Sequence, residues 1–318
     1  MTHPQEAPTF VLMGNHKYYH LLRVSIDCIR AVYPASPILV YDWGDEDYRP
    51  KFAALPTEAN LTIVDWGDAI RDTAELEQQI DFGRQVDLAI RHNARFERSW
   101  RQRLRKKILK TLPGSILARP LLRAGLIFEN MIAQKIPCMA DASRRIGGGR
   151  RMIFLDADAF ILKPVDDLMS RDDFDVAVTL MGNPCFDVNN CSVINSGVIF
   201  FGANCDRRDA FLGQWLAACA RNNEWLREQT SMVRMLEAGD KAVFTEYTLV
   251  KLPMAGQDVS VLSLPQRVYN NTDHQCLSSG TIPRVVHFAN TAQNDKYLEE
   301  LKKQLREVVG APTAPLAR

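Results

Sequence analysis

Short apolar runs recur along this chain, and between them the apolar positions fall at helical spacing. Residues 9–14 form one such run, ending in Gly14, and predict a buried strand. Over 18–33, Leu21, Leu22, Ser25, Ile29 and Val32 share a helical face, and Pro34 stops the helix. Runs at 37–41 and 61–65 predict a second and third strand. Strand, helix, strand in that order predicts a βαβ unit and a parallel sheet.

Residues 68–112 read as mostly helical and polar until Pro113-Gly114 breaks them. A helix is expected over about 121–142, followed by the loop Gly147-Gly148-Gly149 and a strand at 151–156. Further strands are expected at 174–179 and 193–202, and helices at 206–222 and 225–238. Short strands at 242–245, 259–262 and 284–288 precede a charged amphipathic helix at 294–308. The Pro/Ala-rich end, 311–318, predicts a loose tail.

The chain has 318 residues, 46% hydrophobic and 24% charged, so it has ordinary globular composition. That excludes a disordered, collagenous or small disulfide-stapled class. A chain of this length buries roughly three quarters of its extended surface. The expected organisation is one α/β domain over 1–310, with a mainly parallel central sheet flanked by helices. It would divide into a first part at about 9–180 and a second at about 181–310.

Net charge is only +1, which argues against a polyanion binder. The average hides an asymmetry: residues 84–123 carry twelve Lys or Arg against Asp87 and Glu97 alone. This falls in a helical basic insertion expected at about 70–125. Phe96, Trp100, Leu104 and Ile108 recur every four residues there, with Arg91, Arg95, Arg98, Arg101 and Arg105 on neighbouring faces. Either the 91–110 segment contacts an anionic membrane or an acidic acceptor, or it is a packed helix with a solvated basic side. No nucleic-acid module accompanies the charge, so nucleic acid is not an expected partner.

The seven cysteines are scattered, with no CxxC pair, and read as reduced residues of a cytoplasmic protein. Cys185 and Cys191 lack a second pair to complete a zinc site. The first residues lack a signal-peptide pattern, and no apolar run reaches the length of a membrane span.

The centre of the chemistry is Ile153-Phe154-Leu155-Asp156-Ala157-Asp158, an apolar strand that delivers two carboxylates at its end. Ligands of parallel α/β sheets bind at that end. Two acids there are costly unless something cationic neutralises them. Alone, such a pair reads as acids that cap the following loop and face water. Val285-Val286-His287-Phe288 is a second apolar strand, and it ends in an imidazole. Two carboxylates and an imidazole make a divalent site that favours Mn²⁺ over Mg²⁺.

These residues carry a resemblance. The chain resembles GT-A glycosyltransferases, especially the family 8-like group that uses nucleotide sugars and retains anomeric configuration. The landmarks run in one order: Met13 to Tyr18, Tyr41-Asp42, Lys135-Ile136-Pro137, the acidic pair, Asn195-Ser196-Gly197, Trp215 ahead of Glu228-Gln229, and 285–290. The resemblance implies that Asp156, Asp158 and His287 hold the metal, with Asp156 also near the donor. It implies that Asn15 and Tyr18 meet the nucleoside, that Asp42 meets it or caps a turn, and that Lys135 meets a phosphate or sits exposed. Asn195, Ser196 and Gly197 would lie beside the donor sugar, in a stretch whose Gly marks a bulge or close backbone approach. Gln229 would lie beneath the anomeric carbon and Glu228 would face a sugar hydroxyl.

Two departures stand out. Asn290 and Gln293 occupy places where the family usually has Gly and Lys, with Lys296 three residues on, and Glu228 replaces an Asp. The implied activity is metal-dependent transfer from a nucleotide diphosphate sugar, a UDP-sugar in particular, to a hydroxyl of a saccharide or lipid-linked acceptor. Two alternatives stand beside it. One is a degenerate scaffold, motivated by positions 290 and 293. The other is a sugar nucleotidyltransferase, against which the lack of a Gly-rich loop after the first strand counts.

Overall fold

The computed structural model describes residues 7–15, 17–44, 55, 60–67, 83, 85–87, 90, 100–181, 193–222, 224, 226–273, 276, 282–288, 302–304 and 307. The Phe96 end of the basic stripe, most of the helix expected at 294–308, the tail, and Asn290, Gln293 and Lys296 lie outside these residues; 302–304, within that helix, are helical.

The elements in chain order are β1 (Thr9–Gly14), α1 (Tyr19–Val32), β2 (Ile38–Asp42), β3 (Leu61–Asp65), α2 (Trp100–Thr111), α3 (Arg119–Ala133) and α4 (Lys135–Ile146). They continue with β4 (Met152–Asp156), β5 (Ala159–Ile161), α5 (Asp166–Met169), β6 (Val176–Leu180), β7 (Ile194–Phe201), α6 (Cys205–Arg221) and α7 (Arg227–Gly239). After a 3₁₀ turn at Lys241–Phe244 come β8 (Leu249–Met254), β9 (Gln257–Pro265), α8 (Gln266–Tyr269) and β10 (Val285–His287).

Eight strands form one sheet in the order β3-β2-β1-β4-β7-β6-β9-β8. Strand β1 pairs parallel with β2 and β4, β2 with β3, and β6 with β9. Only β7 and β8 run antiparallel to their neighbours, so six strands point one way. A separate two-stranded antiparallel sheet joins β5 to β10. This is the mainly parallel α/β architecture expected above.

Period-two alternation sorts the core. Phe10, Leu12, Ile153 and Leu155 face α1 and the small sheet, while Val11, Met13, Met152 and Phe154 face α4, α6 and α7. Both faces are covered, which is why these strands read as continuous apolar runs. Arg208, fully buried on α6, ties the turn after α4 to the sheet. Its guanidinium donates to the carbonyls of Ser143, Gly147, Arg150 and Gly202 and to Ser143 Oγ.

Several elements differ from the sequence reading, among them the short strand β5 and the one-turn helices α5 and α8, which it did not include. The helix expected at 121–142 is two helices joined at Gln134. Pro137 has no amide to donate, and its ring would meet the carbonyl of Ala133 in a continuous helix. The strand expected at 242–245 is a 3₁₀ turn, capped by Asp240 through the Ala242 amide at 2.8 Å. The edge strand β8 was not expected, because Lys251 and Pro253 interrupt its apolar pattern; an edge tolerates both. No disulfide joins the described cysteines, and no described helix is long and apolar enough to cross a membrane.

Candidate functional site

The topology places the candidate residues along one edge. Strands β2, β1 and β4 end side by side, with Gly14 opposite Asp42 and Met13 opposite Asp156. Strand β7 runs the other way, so its beginning, Ile194 to Gly197, reaches the same edge. The chain then turns back through Ala157 and Asp158 into β5. Pairing of β5 with β10 sets Ala159 opposite His287, and the Phe288 amide donates to the Asp158 carbonyl at 2.9 Å. The small sheet is therefore the device that carries His287 to the two carboxylates.

His287 Nε2 lies 3.1 Å from Asp158 Oδ1 and 3.8 Å from Asp156 Oδ2. One ligand atom from each of Asp156, Asp158 and His287 falls within a 4.8 Å cluster. Burial opposes a charge on His287, but the Asp158 and Asp156 carboxylates outweigh it and raise its pKa. Burial likewise opposes a charge on Asp158, and His287 with Lys135 lowers its pKa in spite of that. The other ring nitrogen is oriented by Asn270, whose Oδ1 sits 3.0 Å from His287 Nδ1. Asn270 Nδ2 donates to Thr179 Oγ1 and to the Asn195 carbonyl, which fixes the amide and makes Nδ1 a donor whether the ring is charged or neutral. Nε2 is left facing the carboxylates, the arrangement a metal-binding histidine requires.

The β6–β7 register shifts between Val178 and Thr179, so Val178 pairs with Ile199 but Thr179 with Asn195. The Asn195-Ser196-Gly197 stretch is thus a bulge, and it is also a close approach. A Cβ on Gly197 would overlap His287 Cε1, 2.6 Å from Nδ1, and would stand 3.0 Å from Asp156 Oδ2. The space taken by the missing methyl group is the wall of the carboxylate–imidazole cluster.

Across from it stands the start of α7. Ser196 Oγ donates to Glu228 Oε2 at 3.0 Å, and the Ser196 amide to Gln229 Oε1 at 3.2 Å. Trp215 Nε1 holds the Glu228 carbonyl at 2.9 Å. Glu228 is buried, its Oε1 has no hydrogen-bond partner among the described residues, and burial pushes its carboxyl up to about 7. Lys135, the first residue of α4, pairs its Nζ with Asp156 Oδ2 at 2.7 Å. Asp156 and Glu228 hold the buried ammonium charged against the cost of burial.

Sequence reasoning missed the support beneath Glu228 and Gln229. Leu226 adopts a left-handed conformation just before α7. Glu129 of α3 accepts the amides of Leu226 at 3.3 Å and Arg227 at 2.9 Å. Arg227 is anchored in turn to the Cys219 carbonyl at 2.5 Å. A polar residue on an apolar helix face, as Glu129 is on α3, was the available signal; Asn270 and Thr179 offered none.

The remaining candidates lie beside this cluster. Gly14 packs between Tyr18 and Ala157: a Cβ there would be 3.2 Å and 3.5 Å from their Cβ atoms. The Asn15-to-Tyr18 loop therefore abuts the turn that carries Asp156 and Asp158. Asn15 Oδ1 accepts the Lys17 amide, and its Nδ2 lies 3.6 Å from Met131 Sδ on α3. Asp42 is buried and accepts the Gly44 amide at 2.6 Å, one strand further along the edge.

No protein-family model matches the chain, and no curated protein matches it by sequence. Solved structures do match. The galactosyltransferase LgtC, solved in complex with donor and acceptor sugar analogs, aligns over 96% of both chains at 12% identity, TM-score 0.50. The bifunctional glycosyltransferase WbbM aligns over 99% of this chain and 51% of its own, at 11% identity and TM-score 0.51. The fold is therefore that of GT-A glycosyltransferases, which at this identity is a statement about architecture.

Proposed function

We propose that this chain is a metal-dependent glycosyltransferase that moves a sugar from a nucleotide diphosphate donor, a UDP-sugar, to a hydroxyl of a saccharide or lipid-linked acceptor. The observation that carries the reading is the convergence of Asp156, Asp158 and His287 on one side of Gly197 with Glu228 and Gln229 on the other. The donor set fits a divalent cation: two hard oxygens, an imidazole with a prescribed tautomer, and backbone kept clear by a glycine. The oxygen–nitrogen mix favours Mn²⁺ over Mg²⁺. When bound, such a cation would screen the charge that develops on a departing diphosphate.

The chain's own residues do the rest by positioning. Asn15, Tyr18 and Asp42 take the nucleoside at the ends of β1 and β2. Lys135 supplies a fixed positive charge beside Asp156, where phosphate oxygens would lie. Ser196 and Gly197 bring backbone against the donor sugar, with Asn195 beside it. Gln229, held by the Ser196 amide, lies beneath the anomeric carbon. Glu228 with a pKa raised to about 7 is partly protonated near neutrality and can give or take a hydrogen bond to a sugar hydroxyl. Strong acid–base chemistry is not required, since orientation and charge stabilisation carry most of such a rate. Retention of configuration follows from the family 8 likeness.

The test is donor hydrolysis across a panel of nucleotide sugars, with Mn²⁺, with Mg²⁺ and with chelator, beside a nucleoside triphosphate plus sugar phosphate. The expected result is cleavage of one donor, strongest with Mn²⁺. Pyrophosphate release from the triphosphate would assign a nucleotidyltransferase instead, and metal-dependent binding without turnover would assign a scaffold.

A further inference from the structure

We propose that the hairpin formed by α2 and α3 is a docking surface for an anionic lipid bilayer. The chain carries no acidic residue between Glu97 and Glu129. Five of the nine large hydrophobic residues exposed among the described ones fall in this hairpin: Leu104, Leu112, Ile116, Leu117 and Ile127. Ile116 is the most exposed at 77%, followed by Leu117 at 62%, and both sit in the turn between the helices.

The hairpin does not need these residues for its own packing. Its interior is Leu109, Ala118 and Leu122, supported by Ile108 and Leu121. Among the described side chains of α2 the buried one is Leu109, one position beyond the four-residue stripe read from sequence, and Leu104 is half exposed. Leu112, Ile116 and Leu117 are left as an apolar tip. Lys110 and Arg119 flank it in the chain, and Arg103, Arg105, Lys107 and Arg123 are further exposed cations along the two helices.

An apolar tip inside a cationic collar fits the boundary between anionic headgroups and acyl chains. Nucleic acid would use the collar but not the tip. A second copy of the chain would bury the tip only by bringing two cationic collars together. The lipid surface satisfies both features at once.

The placement also has a consequence for the site, which rests on the transferase reading. Helix α3 spans fifteen residues, about 22 Å of rise. Two residues beyond its end is Lys135, paired with Asp156. The tip and the carboxylate cluster are therefore joined through α3, and a docked tip would hold the site a helix length from the membrane, suited to a lipid-linked acceptor.

Vesicle co-sedimentation tests this with the full chain and no donor. The probes are phosphatidylcholine vesicles alone and with roughly 30 mol% phosphatidylglycerol, at about 50 mM and about 500 mM salt. The chain should pellet with anionic vesicles at low salt, about tenfold less with neutral ones, and less at high salt. L112S/I116S/L117S should lose most of that binding while keeping the wild-type melting temperature and donor hydrolysis in solution, and K107Q/K110Q/R119Q should lose the anionic preference. Wild type that ignores anionic vesicles, or tip variants that bind as wild type does, would overturn the proposal. So would a serine variant that turns a dimer into a monomer in ultracentrifugation while wild type ignores vesicles. Vesicle binding by a chain that cleaves no nucleotide sugar would uphold the surface and remove the transferase reading.

Discussion

Asn270 Oδ1 lies 3.0 Å from His287 Nδ1, and this single hydrogen bond decides which nitrogen of the ring faces Asp158. The same amide reaches the Asn195 carbonyl, so one buried side chain joins the imidazole to the bulge beside it. Asn270→Ala should weaken Mn²⁺ binding by about 10- to 100-fold, the usual effect of losing the partner that orients a histidine ligand. Calorimetric titration of Mn²⁺ checks it. Unchanged affinity would mean that the ring is held by its surroundings without Asn270.

Gly197 is required for contact rather than for backbone conformation. Alanine would favour the strand by about 0.5–1 kcal/mol. The overlap with His287 works against it by about 1–3 kcal/mol, as overpacking does. Gly197→Ala should therefore destabilise the protein and lower Mn²⁺ affinity together. A urea melt with a parallel metal titration reads both effects, and an alanine variant more stable than wild type with normal metal affinity would refute the contact.

Glu129 should make stability pH-dependent. Burial raises its carboxyl from 4.5 to about 7, with the Arg227 amide working in the opposite direction. The folded protein thus holds a proton that the unfolded chain releases above about 4.5. The contribution is complete below that pH and is lost as pH rises through about 7, on the order of 3 kcal/mol in all. Glu228 adds a slope of the same sign, so the comparison that isolates Glu129 is wild type against Glu129→Gln. Urea melts at pH 5 and pH 8 should show the smaller difference for the variant. An equal difference would show that Glu129 does not titrate in this range.

Arg208→Met should cost about 3 kcal/mol, since the buried carbonyls of Ser143 and Gly202 and the part-buried ones of Gly147 and Arg150 lose this donor. The methionine fills much of the volume, so the loss is polar. A urea melt measures it, and a change within about 0.5 kcal/mol would place the carbonyls with other partners.

Much of this architecture was legible because both sheet faces are covered. The strands at β1, β2 and β4 are apolar runs, as is the second half of β7 after the Asn195-Ser196-Gly197 bulge, and periodicity finds those. Strand β5 has three residues and no pattern of its own; its pairing with β10 defines it. Asp156, Asp158 and His287 were visible as polar ends on apolar strands. Their convergence was not, because the small sheet that carries His287 is a tertiary arrangement. Asn270, Thr179 and Glu129 act through contacts 17 to 98 residues away in sequence, which no local spacing records.

The most direct measurement is Mn²⁺ binding followed by electron paramagnetic resonance, with and without UDP, in wild type, Asp158→Ala and His287→Ala. Wild type should bind one ion, more tightly when UDP is present, and UDP should bind more tightly by the same factor when Mn²⁺ is present. Both variants should lose at least about tenfold in affinity while remaining folded. Wild type that binds no Mn²⁺ with UDP present, or variants that bind it as wild type does, would contradict the account.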